Sequence, residues 1–315
     1  MEKLRIVFMG TPEFAVGILD TILKNNYEVV GVITAADKPA GRGQKIKHSA
    51  VKEYALENNL NLLQPTNLKD EAFLAELKSL NANLQVIVAF RMLPEVVWRM
   101  PELGTFNLHA SLLPNYRGAA PINWAIINGE TKTGVTTFFI DDKIDTGAMI
   151  LNKEIAINEN ESAGELHDRL MVLGSEAVVE TLALLEKRTV TTTIQQDNPE
   201  IKTAYKLNRE NCKIDWTKPA AEIHNLIRGL SPYPSAWCLF KDNDEEWSVK
   251  VYESKIILEN HSYTIGTITT SKKEIKVAVK DGFIQILNIQ FPGKKKMKAN
   301  ELLNGVSFSE RAQAE

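Results

Sequence analysis

Three polar residues of different chemistry, Asn107, His109 and Asp145, stand beside apolar, strand-like segments of the sequence. Asn107 and His109 are two residues apart in a stretch that begins at Thr105, so their side chains point to the same side of a strand. Asp145 follows the apolar segment 134–140. An amide, an imidazole and a carboxylate together can stabilise an oxyanion, move a proton and orient the imidazole. These residues predict acyl-type group transfer without a serine or cysteine nucleophile.

Each of the three residues also has a simpler structural explanation. A single histidine after a strand is more often a structural residue than a catalyst, and Asn107 can be a turn former that bonds its own backbone. Asp145 can cap a turn ahead of the glycine that follows it. Their joint occurrence in two long motifs favours the catalytic interpretation, because motifs gain meaning from their context.

The composition is that of an ordinary globular protein. The chain has 315 residues, of which 44% are hydrophobic and 24% charged, and this length usually signals two domains. We expect no secretory signal and no membrane span, because no apolar run reaches about 18 residues. Cys212 and Cys238 lack metal-ligand spacing and are typical of a reducing compartment. The sequence therefore predicts a cytoplasmic enzyme without a metal.

The first part of the chain alternates apolar strands with amphipathic helices, which predicts a parallel sheet of βαβ units. The first unit consists of a strand over 4–9, a helix with apolar residues at helical spacing, and a strand over 29–34. Thr11 and Pro12 between them read as the N-cap and the first helical residue. This turn lacks the glycine pattern of dinucleotide-binding folds, which argues against a nicotinamide cofactor.

The pattern changes near residue 190. Residues 190–207 are polar and irregular, which predicts a linker. Five short apolar segments separated by turns then predict a small β-barrel. The expected domains are a catalytic domain, a linker and a barrel domain, at 1–189, 190–207 and 208–315.

Two segments are locally cationic although the chain has a formal net charge of −3. One is the loop 37–48, which includes Lys38, Arg42 and Lys45. The other is the segment 266–300, which contains eight lysines and only two acidic residues. Such segments are usually solvated surfaces, but they are also the local basic patches that a nucleic-acid partner requires.

Four motifs carry a resemblance to a known family. NLHASLLPNYRGAAP, IDDKIDTG, KPAGRG and GKKKMKANELLNG are similar to segments of the folate-dependent formyltransferases, and the resemblance covers essentially the whole chain. It implies an α/β fold with a Rossmann-like formyltransferase domain and a predominantly parallel sheet. It also implies a smaller carboxyl-terminal, oligonucleotide-binding-like β-barrel. The family's catalytic Asn, His and Asp fall on Asn107, His109 and Asp145.

The resemblance further implies substrates and binding residues. The formyl donor would be 10-formyltetrahydrofolate, and the acceptor the amino group of initiator methionyl-tRNA. The implied folate-binding residues are Phe90, Arg91, Met92, Leu93, Ser111, Leu112, Leu113, Pro114, Asp141 and Asp142. The implied tRNA-binding residues are Lys38, Arg42, Lys45, Lys294, Lys295 and Lys296.

Two alternatives stay open from the sequence. A sugar-nucleotide N-formyltransferase would share the catalytic motifs, but the KPAGRG loop and the lysine-rich barrel argue against it. A protein that binds folate or tRNA without catalysis would not need all three polar catalytic residues. We expect no metal, no membrane association and no obligate protein partner.

Overall fold

The structure is a computed structural model that describes residues 3–40, 45–196 and 198–315. The chain divides into two compact units. The first comprises Met1–Gly118, Gly134–Ile155 and His167–Thr203, and the second Ala119–Thr133, Ala156–Leu166 and Ala204–Glu315. The domain boundaries expected from the sequence, 1–189, 190–207 and 208–315, stay a prediction.

The first unit is built on a seven-stranded sheet. The strands up to residue 204 are, in chain order, β1 (Arg5–Gly10), β2 (Glu28–Ile33), β3 (Lys38–Ala40), β4 (Lys45–Lys47), β5 (Leu62–Leu63), β6 (Leu84–Val88), β7 (Thr105–His109), β8 (Arg117–Gly118), β9 (Lys132–Phe139), β10 (Met149–Ala156) and β11 (Thr203–Ala204). The sheet order is β10-β9-β7-β6-β1-β2-β5. The pairs from β7 to β5 are all parallel, whereas β7 and β9 are antiparallel. This confirms the predominantly parallel sheet.

The central strands are buried because helices cover a parallel sheet. Every residue of β6 is buried, as are five of the six residues of β1, which explains their nearly continuous apolar sequences. The helices up to residue 186 are α1 (Glu13–Lys24), α2 (Ala50–Glu57), α3 (Glu71–Ser79), α4 (Glu95–Trp98), α5 (Pro121–Ile127) and α6 (Ala163–Glu186).

The predicted start of α1 is wrong by one residue. Pro12, not Thr11, is the N-cap, and the helix begins at Glu13. Pro12 has an extended backbone (φ −84°, ψ 177°) and no side-chain cap. Its carbonyl accepts the amides of Ala15 and Val16, so the first turn is closed without a polar side chain.

The first basic segment contains a short antiparallel hairpin. Strands β3 and β4 pair with Lys38 opposite Lys47 and Ala40 opposite Lys45. Arg42, the predicted tip residue, lies outside the described residues, and so do the side chains of Lys38 and Lys45. Their expected contacts with tRNA stay a prediction.

The second unit contains an antiparallel barrel. Its further elements are α7 (Ala220–Gly229), β12 (Ala236–Asp242), β13 (Glu245–Ile257), β14 (Ile268–Thr270), β15 (Ile275–Val279), β16 (Gly282–Gln290), β17 (Met297–Lys298), α8 (Ala299–Leu302) and β18 (Gln313–Ala314). The sheet runs in the order β14-β15-β16-β13-β12-β18, and β17 pairs with β16. An isolated bridge between Thr267 and Gln313 joins its two edges. The barrel is confirmed, although the described residues form seven strands where the sequence predicts five.

A buried polar cluster in the second unit fixes α7. His224 on α7 is 8% exposed, and its Nε2 lies 3.2 Å from Oδ1 of Asn160. Because that oxygen can only accept, Nε2 donates the proton, and Nδ1 accepts from the hydroxyl of Ser254 at 3.0 Å. Burial lowers the pKa of His224, and the neighbouring Arg228 guanidinium adds to the effect.

We predict that this cluster makes stability depend on pH. An unfolded histidine titrates near pH 6.5, whereas the folded His224 has a lowered pKa. As the pH falls below about 6.5 the unfolded state therefore binds the proton first, and stability is lost progressively down to the folded pKa. Thermal unfolding between pH 8 and pH 5 should show a smaller loss of Tm in His224→Gln than in the natural protein. His48→Gln, at an exposed histidine, should keep the natural profile, and an unchanged profile in His224→Gln would contradict the prediction.

Candidate active site

Strand β7 presents the two predicted catalytic side chains. It is paired in parallel with β6, with Val88 opposite Leu108, so the residues that follow both strands lie at the same edge of the sheet. Phe106 and Leu108 are buried in the core. Asn107 and His109, which alternate with them, point to the opposite side of the strand.

Asp145 reaches this strand by an unexpected path. Because β9 is antiparallel to β7, its end at Phe139 lies opposite Phe106, near the start of β7. The loop 141–147 therefore turns back along the sheet toward His109. Asp145 has φ +55° in this turn, a backbone conformation that non-glycine residues seldom adopt. Gly147 is required, since a Cβ there would lie 1.6 Å from the carbonyl oxygen of Phe139.

His109 is held between a carbonyl and a carboxylate. Its Nε2 lies 2.7 Å from the backbone oxygen of Tyr116, and its Nδ1 lies 3.7 Å from Oδ2 of Asp145. The imidazole is 7% exposed. Since a carbonyl oxygen can only accept, Nε2 carries a proton, and Nδ1 is the ring nitrogen that can exchange one.

The segment after β7 that contains Tyr116 also holds Asp145. The amide of Gly118 donates to Oδ2 of Asp145 at 2.9 Å, which orients the carboxylate toward His109. Gln195 donates to the carbonyls of Asp145 and Gly147 at 3.0 and 2.8 Å. Neither Gly118 nor Gln195 is among the site residues predicted from the sequence. Gly118 lies inside a recognised motif, whereas Gln195 lies in a polar stretch without any local signal.

The side-chain oxygen of Asn107 has no hydrogen-bond partner among the described residues. This atom, Oδ1, is buried. Leaving a buried polar atom without a partner costs on the order of 1–3 kcal/mol. A carboxamide offers both an acceptor and two donors. The Asn107 side chain can therefore act as a hydrogen-bond donor or as an acceptor beside His109.

The first predicted folate segment follows β6 directly. Ala89 has φ +48° and turns the chain out of the strand. Arg91 donates to the carbonyls of Pro65 and Thr66 at 2.5 and 3.0 Å, so its guanidinium is engaged in local structure. Among the other predicted residues, Leu93 is buried, Phe90 is half-buried and Met92 is 66% exposed.

The second predicted folate segment follows β7 and is held by hydrogen bonds of Ser111 and of Thr136. Ser111 is fully buried, and its hydroxyl donates to the carbonyl of Asn115 at 2.7 Å. Thr136 on β9 donates to the carbonyl of Ser111 and accepts the amide of Leu113. Leu113 is buried, and the remaining two predicted residues are half-buried, namely Leu112 and Pro114.

The third predicted folate pair lies in the loop that carries Asp145. Asp141 accepts the hydroxyl of Thr146 at 2.8 Å and the amide of Lys143 at 3.1 Å, so it shapes the loop. Asp142 is exposed. For all ten predicted folate residues, contact with the ligand stays a prediction.

The remaining predicted site residues lie on the barrel. Lys294, Lys295 and Lys296 are exposed, and the ammonium of Lys296 lies 4.8 Å from the centre of the Tyr252 ring. Within the described part of the chain there is no group of three or more His, Cys, Asp or Glu side chains placed to hold a metal ion. No helix among the described residues is long and apolar enough to cross a membrane.

Comparison with protein families decides what this arrangement belongs to. Residues 4–182 match the model of the formyl transferase family, and residues 206–307 match its formyl transferase C-terminal domain. The chain belongs to the formyl transferase family. This confirms the resemblance carried by the sequence motifs and agrees with the α/β unit and the barrel described above.

Relatives of known name cover nearly the whole chain. It is 76% identical to a methionyl-tRNA formyltransferase of Flavobacterium johnsoniae, over 99% of each chain. It is 54% identical to one of Bacteroides thetaiotaomicron, over 98% of each chain. A solved structure of a sugar 3N-formyl transferase, WlaRD, with dTDP and 5-N-formyl-THF shares the fold. Its TM-score is 0.64 and its identity 24%, over 94% of this chain and all of that one.

We predict that His109 and Asp145 are required for turnover. His109→Ala should lower the single-turnover rate of formyl transfer by on the order of 10²–10⁴, the usual effect of removing a general acid or base. Asp145→Asn retains an oxygen that can accept the amide of Gly118 but removes the charge, so it should also lose activity. His167→Ala, a histidine that packs on Phe14, is the matched control. Natural turnover by His109→Ala with an unchanged Tm would remove His109 from the mechanism.

Proposed function

We propose that the protein transfers the formyl group of 10-formyltetrahydrofolate to the amino group of initiator methionyl-tRNA. The product would be N-formylmethionyl-tRNA, which serves translation initiation in the cytoplasm. The single strongest support is identity of 76% over 99% of the chain to a methionyl-tRNA formyltransferase. The placement of His109 beside Asp145 supports the chemistry.

Three side chains would carry the transfer. When the neutral amine attacks the formyl carbon, negative charge develops on the formyl oxygen, and the carboxamide of Asn107 would donate a hydrogen bond to it. The attacking nitrogen must also lose a proton. His109 would take it on Nδ1, because Nε2 is engaged with the carbonyl of Tyr116. Asp145, 3.7 Å away, would stabilise the resulting charge. Collapse of the tetrahedral adduct would break the bond between the formyl carbon and N10, and His109 would return the proton to N10 of the departing tetrahydrofolate.

The donor would bind along the edge where β6 and β7 end. Bound there, the folate supplies the activated formyl group, and the chain supplies position and hydrogen bonds. Because Arg91, Ser111 and Asp141 are engaged in local contacts, recognition by these segments would rely on backbone groups and on apolar side chains. This edge is where ligands of open α/β sheets bind.

The acceptor would meet two basic surfaces. The lysines 294–296 are exposed on the barrel, and exposed lysines are suited to phosphates. The loop with Lys38, Arg42 and Lys45 would approach the end of the tRNA that carries the amino acid. Tyr252, under the ammonium of Lys296, would hold that side chain in place.

A sugar-nucleotide amine is the alternative acceptor. The structural neighbour WlaRD acts on a sugar, but its identity of 24% supports only the shared fold. A sugar nucleotide carries two phosphates and needs no basic surface on a separate unit, so the exposed lysines favour tRNA.

The proposed function is tested by supplying both acceptors. The natural protein is incubated with 10-formyltetrahydrofolate labelled in the formyl group, together with either methionyl-tRNA or a dTDP-linked amino sugar. Label should appear on the methionyl amine. Label on the sugar alone would overturn the tRNA proposal and keep formyl transfer, and label on neither would overturn both.

We predict that the barrel lysines determine the salt dependence of tRNA use. Replacing Lys294, Lys295 and Lys296 by alanine should raise the KM for tRNA and reduce the slope of log KM against log salt. The reduction should be up to about three, roughly one for each phosphate that is no longer neutralised. The single-turnover rate at saturating tRNA should be unchanged, because these residues belong to a different unit from Asn107 and His109.

A matched control removes the same charge elsewhere. Lys69, Lys78 and Lys187 are exposed lysines of the first unit, and replacing them together should leave the slope unchanged. Equal slopes in the two triple variants would show that the barrel lysines act only through net charge.

A further inference from the structure

Both the nitrogen and the oxygen of the Gln195 carboxamide are engaged in two hydrogen bonds each. Its Nε2 donates to two backbone oxygens, those of Asp145 at 3.0 Å and Gly147 at 2.8 Å. Its Oε1 accepts from Nε and Nη2 of Arg117, at 3.1 and 2.9 Å. The side chain is 8% exposed. Four hydrogen bonds therefore hold one buried amide between two loops.

These bonds close a ring around Asp145. Gln195 bonds the backbone of Asp145 on one side and the guanidinium of Arg117 on the other. The next residue, Gly118, donates its amide to the Asp145 carboxylate, and the preceding residue, Tyr116, accepts from His109. The contacts that orient the carboxylate and the imidazole thus pass through the two loops that Gln195 joins.

The segment that carries Gln195 is itself fixed at both ends. We call residues 193–196 and 198–203 the strap. Thr193 exchanges two backbone hydrogen bonds of 2.8 Å with Met149 on β10. The carbonyl of Lys202 accepts the amide of Tyr116 at 2.5 Å, and its amide donates to the side chain of Asn115. The strap therefore has the anchors that a positioning element requires.

We propose that Gln195 is a positioning residue for formyl transfer and that it acts through Asp145. It holds Asp145 in the left-handed backbone conformation, φ +55°, that directs the carboxylate to His109. Such a conformation persists only when the surrounding structure enforces it. The inference rests on the proposed function for its kinetic test but not for its structural test.

The kinetic test removes the hydrogen bonds of the Gln195 side chain but keeps most of its volume. Gln195→Met keeps most of the volume but makes no strong hydrogen bond. It should lower kcat for methionyl-tRNA by on the order of 10- to 100-fold, as small misplacements of reacting groups do. The KM for both substrates should be unchanged, which separates positioning from binding. Gln196→Met, at the exposed neighbour of the same type, should behave like the natural protein.

A second substitution separates the two ends of the amide. Gln195→Glu keeps an oxygen for Arg117 but directs a carboxylate at the carbonyls of Asp145 and Gly147. It should be as impaired as Gln195→Met. Natural kcat in Gln195→Glu would overturn the proposal that the bonds to the Asp145 loop are the ones that matter.

Epistasis shows whether Gln195 acts through Asp145. In an Asp145→Ala background, adding Gln195→Met should produce no further loss of kcat, because the group that it positions is gone. An equal loss in both backgrounds would overturn the proposal and place the effect elsewhere.

The structural test needs no substrate. Hydrogen exchange in the free protein should accelerate at the amide of Gly118 in Gln195→Met and not in Gln196→Met, because that amide is bonded to Asp145. Unchanged exchange would overturn the inference even if the natural protein is active. Faster exchange in a protein that formylates neither acceptor would instead remove the proposed function and leave the positioning role standing.

Discussion

The hydrogen bond from the amide of Gly118 to Oδ2 of Asp145 is the contact on which the site depends. It joins the segment after β7 to the loop after β9, and these two segments carry the groups around His109. A carboxylate that accepts a backbone amide is fixed in direction as well as position. Gly118 is next to Arg117, and Arg117 is hydrogen-bonded to Gln195. The position of the Gly118 amide therefore depends on the strap that carries Gln195.

The sequence predicted those parts of the fold that depend on neighbouring residues, namely the buried strands and the alternation of side chains along them. The buried strand β1 reads as a nearly continuous apolar segment because helices cover both faces of a parallel sheet. The position of Asn107 and His109 on one side of β7 followed from the period of a strand. The motif around them was recognisable because it is contiguous.

Long-range pairing could not be predicted in the same way. Nothing in the sequence of β9 predicts that it runs antiparallel to β7. The course of the loop 141–147 back to His109 was therefore not expected. Gln195 contacts Asp145 across 50 positions of the chain, and it stands in a polar stretch that was interpreted as a linker. A single glutamine carries no pattern, and its importance comes only from the two loops that meet around it.

The joining of the barrel's edges has a consequence for how the protein is made. The backbone of 266–268 bonds to residues 312 and 314, and β18 is synthesised after every other strand of the barrel. While a ribosome is still adding that segment, the edges of β12 and β14 have no partner, and unpaired edges are templates for association between chains. The barrel therefore cannot join its edges until residues 312–314 have left the ribosome, and until then its shape depends on the strands β12–β17 alone.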